Sequence, residues 1–587
     1  MDTLDRQIKY CAETRASLGA RKVLLRNPVS ARTTIIEKDV AAALSACSTF
    51  ASIEEHSLRI ANARNVDRST AAQWLQSAMD SGLFVSVPES KRCFFGCAAS
   101  LTPRKIDCIA IATRNRPETL RRLLNELDEN VAEFGRNPHI VVLDDSDRES
   151  FQRANAEAIS TLACRSSARL VHIDAKKRKQ MVERLTQAAS VLAKTAEFGL
   201  SRNPAFPVSM GAAQNALLLA TAGRCILFLD DDIRCRMTPI PDSSEQIVLG
   251  ETSVESWYFE SRSEVEQCPF VPDDLLGLHE RLLNVDSADW ANSLVTTIGA
   301  DSNTLFRRLE SGEARVVASQ MGILGDGGVD SPLPSYISGP ETWARFAGSE
   351  SLYRTAIRNR LILRGAKGFA VTHTVHSQTH CLAVDNQKCV PPFLPVMRGQ
   401  DGLFGLLLAK CIPNSLFGLI PRAILHSPQE PRQFAPDAGV ASCSRFSLSE
   451  AIMALISTYG AIPGAATAQR VISLGRMLHE MRCADDHEIQ ERLHSAIEPL
   501  FIRVLQMVQV RLDRADDRAF WRSDVLKIRD AALARLNSRE DLIPADLESV
   551  RGRNGGRSGL REMVMEFADL LESWPALVES SMQFALE

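Results

Sequence analysis

The stretch Ile226-Leu-Phe-Leu-Asp-Asp-Asp-Ile233 decides how this chain is read. An apolar run that ends in acid describes a buried strand delivering carboxylates at its C-terminal end, the edge at which open α/β sheets bind ligands. Asp230, Asp231 and Asp232 repel one another, so a strand end that gathers them needs a cation or a set of donors to absorb the charge. A divalent metal is the economical answer, and an acidic turn capping the next element is the plainer one.

Upstream, the pattern repeats. Val141-Val-Leu-Asp-Asp-Ser-Asp147 ends a strand in Asp144 and Asp145, and a strand from Ile106 to Ala112 runs into Thr113-Arg-Asn-Arg-Pro117. Strand ends with polar tips on neighbouring strands imply one crevice. In such a crevice carboxylates can accept from a base N–H and from ribose hydroxyls, and Arg114 and Arg116 are candidates to meet phosphates. Between these strands, Glu118 to Phe134 carries Leu120, Leu123, Leu124, Leu127 and Val131 at helical spacing. Leu170 to Ile173 reads as a further strand and Gly211 to Ala222 as a helix. Strand–helix alternation from Pro103 onward predicts an α/β domain with a mainly parallel, open sheet.

The flanks have a different texture. From Arg32 to Val87 short helices precede a strand at Leu83-Phe84-Val85, with Ser52-x-x-Glu55 offering a capping box. That order resembles a winged-helix module, including the leader-peptide recognition type found beside peptide-modifying enzymes; a helical cap on the catalytic domain is the other reading. Beyond Ser442 helical periodicity takes over, as in Ile497, Phe501, Val504, Leu505 and Val508. Arg551-Gly-Arg-Asn-Gly-Gly-Arg-Ser-Gly559 reads as a flexible break before a last amphipathic helix.

With 587 residues the chain exceeds one ordinary core and is expected to hold several domains. A formal net charge of -4 supplies no global positive field, so no nucleic-acid partner is expected. No apolar run approaches the ~20 residues of a membrane helix. Cysteines scattered singly, with no secretory leader, point to reduced thiols and a cytoplasmic location.

Taken together, residues 106 to 233 look like the nucleotide-binding half of a family 2 glycosyltransferase of the GT-A fold, through "TRNRPETL", "VVLDDSD", "GAAQNALLLATAG" and "ILFLDDD" in that order. The resemblance implies that Asp232 binds a Mn²⁺ or Mg²⁺ ion, that Asp230 or Asp231 contacts ribose or metal, and that Asp145 reads the base, most often uracil. Further matches follow. Thr297-Ile-Gly-Ala-Asp resembles the loop beneath the donor sugar, with Gly299 allowing close approach. Arg398-Gly-Gln-Asp-Gly-Leu-Phe404 resembles the segment whose last acid is the catalytic base, which assigns that role to Asp401, with Gln400 in place of the usual Glu. His426 stands where many GT-A enzymes place a histidine that completes the metal site.

The division that results is an N-terminal extension at 1–31, a winged-helix-like module at 32–100, a GT-A domain at 101–441 and an all-α region at 442–587. Within the GT-A domain a nucleotide half spans 101–240 and an acceptor half 241–441. The implied activity is inverting transfer from a nucleotide sugar, UDP-sugar ahead of GDP-sugar, to a hydroxyl on a peptide, protein or glycan acceptor. A sugar-phosphate nucleotidyltransferase and a non-catalytic scaffold with a degenerate core are the alternatives. The sequence leaves the oligomeric state open.

Some signals take plainer readings. His373-x-x-His376-x-x-x-His380 lacks a helix to present it as a zinc site and is expected in an acceptor-side loop. Lys176-Lys-Arg-Lys179 reads as solvated surface. Gly325-Asp-Gly-Gly328 reads as a mobile turn, and the stretch from Arg308 to Arg398 as a long insertion.

Overall fold

The computed structural model describes residues 7–27, 30–47, 50–89, 105–250, 253–283, 305, 308, 314–375, 377–514, 516, 518–538 and 540–583. At the N-terminus, β2 (Glu13–Leu18), β3 (Lys22–Arg26) and β4 (Thr33–Glu37) form an antiparallel sheet, and β1 (Ile8–Tyr10) pairs antiparallel with β5 (Phe84–Ser86). Between β4 and β5 lie helices Lys38–Leu44, Ile53–Arg64 and Arg68–Asp80, the second opened by the Ser52/Glu55 capping box. In β3, Val23 and Leu25 are buried on one face, as period-two alternation requires. They share a core with Tyr10, Leu44, Leu75 and Phe84, so residues set apart as an extension contribute strands to the module that follows.

The large sheet has twelve strands: β6 (Cys108–Thr113), β7 (His139–Asp144), β8 (Arg169–Ile173), β9 (Arg224–Asp230), β10 (Ile233–Pro239), β11 (Ser244–Leu249), β12 (Val254–Tyr258), β13 (Arg315–Asp326), β14 (Leu361–Ala366), β15 (Gly368–Thr372), β16 (Cys381–Asn386) and β17 (Ser415–His426). Their order is β11-β15-β17-β13-β16-β9-β6-β7-β8, with β10 on β17, β14 on β13 and β12 on β14. The run β9-β6-β7-β8 is parallel throughout. Helices Pro117–Glu133 and Met210–Ala220 lie close to the spans that periodicity predicts, and they cover the strands on both faces, which explains their near-continuous apolar character. Beyond β9 the pairing becomes mixed: β16 is antiparallel to β9 and β13, whereas β13 and β17 run parallel.

The stretch from Arg308 to Arg398 is therefore not a loop-like insertion. It supplies β13 and β16 in the middle of the sheet, β15 next to its edge strand β11, and β14 beside β13; β13, β15 and β16 are buried along nearly their whole length. Strands buried on both faces lose the alternation that marks a half-exposed strand, and so escaped the sequence reading.

Helices Leu448–Ser457, Thr467–Glu480, Asp486–Asp513, Arg522–Asn537 and Ala545–Gln583 make up the C-terminal region. The flexible break expected at 551–559 is helical apart from a kink at Gly552, whose φ of 71° interrupts the helix before it resumes. Gly556 lies where a Cβ would stand 2.7 Å from the Ile543 side chain, so small residues let the kinked segments close up. The long helix docks on the sheet domain: Trp574 is fully buried, its indole N–H donates to the Val390 carbonyl at 2.6 Å, and the Ser581 hydroxyl donates to the Leu219 carbonyl. Phe567, Leu571 and Trp574 share one core with Val182, Leu217 and Phe393. Trp574→Ala is expected to cost about 3–5 kcal/mol, since it opens a cavity and strands a buried carbonyl, and denaturant unfolding checks this. No helix among the described residues is long and apolar enough to cross a membrane.

Candidate metal centre and adjoining cavity

Strand register builds the site. Ala112 in β6 lies opposite Asp230 in β9, so the next residue, Thr113, reaches the acids and its hydroxyl donates to Asp231 at 2.7 Å. The chain turns at Asp231-Asp232 into β10, where Ile233 pairs with His426 at the end of β17. Ser427 N–H donates to the Asp232 carbonyl at 2.9 Å and locks that corner. His426 is thus carried to Asp232 by backbone pairing, with Nε2 at 3.1 Å from Asp232 Oδ1.

Nδ1 of His426 lies 2.6 Å from the Asp326 carbonyl, which can only accept, so Nδ1 carries a proton and Nε2 faces the acids. The Gly325 turn serves this contact. Its φ of 97°, and the 2.5 Å that would separate a Cβ from the His426 carbonyl, require glycine there. Gly325-Asp-Gly-Gly328 is therefore a built support for His426 and not a mobile turn.

Asp230, Asp232 and His426 each offer a ligand atom, and these atoms lie within 4.8 Å of one another, the one such cluster among the described residues. Burial, followed by repulsion from Asp232, pushes Asp230 up to about 7 and Asp231 up to about 6. Burial works against ionisation of Asp232 as well. The hydrogen bond and charge of His426, aided by Arg116 and Arg432, nevertheless hold Asp232 below the ordinary carboxylate range. Burial opposes protonation of His426, whose pKa the hydrogen bond and charge of Asp232 raise to about 9. Buried acids that cannot all ionise together, beside an imidazole with a fixed tautomer, fit a divalent cation held by Asp230, Asp232 and His426.

Arg116 spans the acids, donating to Asp231 at 2.9 Å and Asp232 at 3.2 Å, and Arg432 donates to Asp232 at 3.2 Å. Arg114 turns instead to Asp147 at 3.1 Å. Asp144 is buried, with Oδ2 lacking a hydrogen-bond partner, and Asp145 Oδ1 accepts from Arg178 at 2.7 Å. The run Lys176–Lys179 is thus not wholly solvated, because Arg178 turns inward. Gly299 and His376 lie outside the described residues. His380 is buried against the Gly322 carbonyl and pushed by burial down to about 3, so it is a neutral core residue.

Asp401 joins the centre through the start of β16. Antiparallel pairing of Cys381 with Leu229 brings the preceding turn beside the acids, and Asp230 N–H donates to the His380 carbonyl. From that turn the Thr379 hydroxyl donates to Asp401 Oδ1 at 3.0 Å and its N–H to Oδ2 at 3.3 Å, while Gln214 donates to the Thr379 hydroxyl at 2.8 Å. Burial raises the Asp401 pKa, against the pull of these hydrogen bonds and of Arg398. Asp230, Asp231, Asp232, His426 and Asp401 all line one cavity of about 610 Å³. Neither Asp144, Asp145 nor Arg114 lines it. The roles of Thr379, Gln214, Arg178 and Arg432 were not anticipated: Thr379 and Arg432 stand outside any motif, Arg178 lies in the run read as solvated surface, and Gln214 lies in a helix quoted only for its resemblance.

No protein-family model matches the chain, and no curated protein does. Among solved structures, a mannosyltransferase, PcManGT from Pyrobaculum calidifontis in complex with GDP-Man and Mn²⁺, is similar at 10% identity and a TM-score of 0.27, over 77% of this chain and 99% of that one.

Proposed function

We propose that the chain is a metal-assisted glycosyltransferase of the GT-A, family 2 type, moving a sugar from a nucleotide sugar to an acceptor hydroxyl with inversion. UDP-sugars are the first donor class to test and GDP-sugars the second. The observation that carries this reading is the shared cavity, with a three-residue cation site at one part and a buried carboxylate held by Thr379 at another. A bound Mn²⁺ or Mg²⁺ would supply charge neutralisation for the departing diphosphate. Asp401 accepts the acceptor's proton as the acceptor oxygen bonds to the anomeric carbon and the bond from that carbon to phosphate breaks. Asp145, pinned by Arg178 and outside the cavity lining, is the residue assigned to read the base.

A panel of nucleotide sugars incubated with Mn²⁺ tests the reading, through slow release of free UDP or GDP without an acceptor. If calorimetry shows no metal-dependent binding of either nucleotide, the reading fails.

Asp401 works as a base only when ionised, and burial has raised its pKa, so kcat/KM is lost as pH falls through that raised value. Thr379→Val removes a hydrogen bond that favours the carboxylate. It is expected to move the acid limb of the pH–rate profile to higher pH while leaving the nucleotide Kd unchanged.

A further inference from the structure

A second cavity, of about 280 Å³, adjoins the first and shares Ser377, Gln378 and Gly402 with it. Its walls are mixed, with Val254, Ile323, Val375 and Leu419 beside Gln320, Ser377 and Gln378, and Arg364 is the one charged residue that lines it. Arg364 stands in β14 opposite Ser256 of β12 and Ile323 of β13, so its base is held by pairing on both sides. Among the described residues its guanidinium has no carboxylate partner and no hydrogen bond. Burial pulls its pKa below the ordinary value, and Tyr258, a group that is neutral at physiological pH, is what works against that pull. The Ser377 hydroxyl, where the two cavities meet, is also buried without a partner.

A half-buried planar cation with several donors, lining a recess and facing no counter-charge, has its donors free for an anionic ligand. Two other arginines of the same part of the sheet domain do have carboxylate partners. Arg345 lies against Glu255, and Arg360 at 3.1 Å from Asp326. Arg364 departs from that pattern in a recess that meets the cavity of Asp401 at Ser377, Gln378 and Gly402.

We propose that this recess is the acceptor's anion subsite: Arg364 receives a carboxylate or phosphate carried by the acceptor, and so presents a nearby acceptor hydroxyl to Asp401. The assignment of the anion to an acceptor rests on the glycosyltransferase reading above. The acceptor class is then an acidic sugar or a phosphorylated one, small enough at its charged end to enter a recess of this size.

The test uses the full chain with Mn²⁺ and UDP or GDP present, so that the diphosphate site is filled, and calorimetry with glucose, glucuronate and glucose 6-phosphate as probes. At least one anionic probe is expected to bind ≥10-fold more tightly than glucose, and which of them does so separates carboxylate from phosphate. Arg364→Met is expected to abolish that preference, with Arg364→Lys intermediate, while nucleotide binding stays as in wild type. Equal binding of all three probes by wild type, or an unchanged anion preference in Arg364→Met, would each overturn the proposal. Absence of metal-dependent nucleotide binding in wild type and variant alike would instead remove the glycosyltransferase reading, and Arg364-dependent anion binding would survive it.

Discussion

Asp401→Asn should lower kcat by about 10³-fold while the Kd for the nucleotide and Mn²⁺ stays within a few-fold of wild type. The amide keeps the size of the carboxylate and can still accept from Thr379, but it cannot take a proton from the acceptor. Asp401 lies at the first turn of helix Gln400–Cys411, and its contacts run to Thr379 and not to the acids that would hold the cation. Transfer and binding should therefore separate cleanly in this variant, in single-turnover kinetics set beside calorimetry. Unaltered turnover would remove Asp401 from the chemistry.

Asp232→Asn is expected to act at the other end of the cavity and in the opposite way. Asp232 gathers His426, Arg116 and Arg432, so one carboxylate organises three cationic groups. Neutralising it removes a ligand and leaves those groups facing one another. Mn²⁺ affinity should fall by at least ~100-fold, more than the loss usual when only an outer hydrogen-bonding partner of a ligand is changed. Nucleotide binding should lose its metal dependence with it. Manganese titration followed by electron paramagnetic resonance reads the first effect and calorimetry the second; wild-type affinity in this variant would place the cation elsewhere.

These expectations could be drawn because the acids announce themselves in sequence. A run of buried aliphatic residues ending in Asp230-Asp231-Asp232 has few structural explanations, and the helix after Arg116 has the apolar spacing of an amphipathic element. Their partners were harder to see. The bonds from Thr379 to Asp401 and from Arg178 to Asp145 depend on strand register, which residue types do not encode locally. β13, β15 and β16 went unseen for a related reason, since burial on both faces erases alternation. The glycines at 552–559 looked like a flexible tether, and they instead permit close packing around a single kink.

The pairing of β10 with β17 has a consequence for how the protein is made. Asp232 and its imidazole partner are 194 residues apart along the chain, joined by a strand pair that cannot form until β17 has left the ribosome. A nascent chain that has emerged only as far as the helix at Gln400–Cys411 carries all the acids and the Gly325 turn, but not the histidine or its strand. Ion capture thus becomes a late event of biosynthesis, and any fragment ending before Ser415 lacks the machinery to complete it.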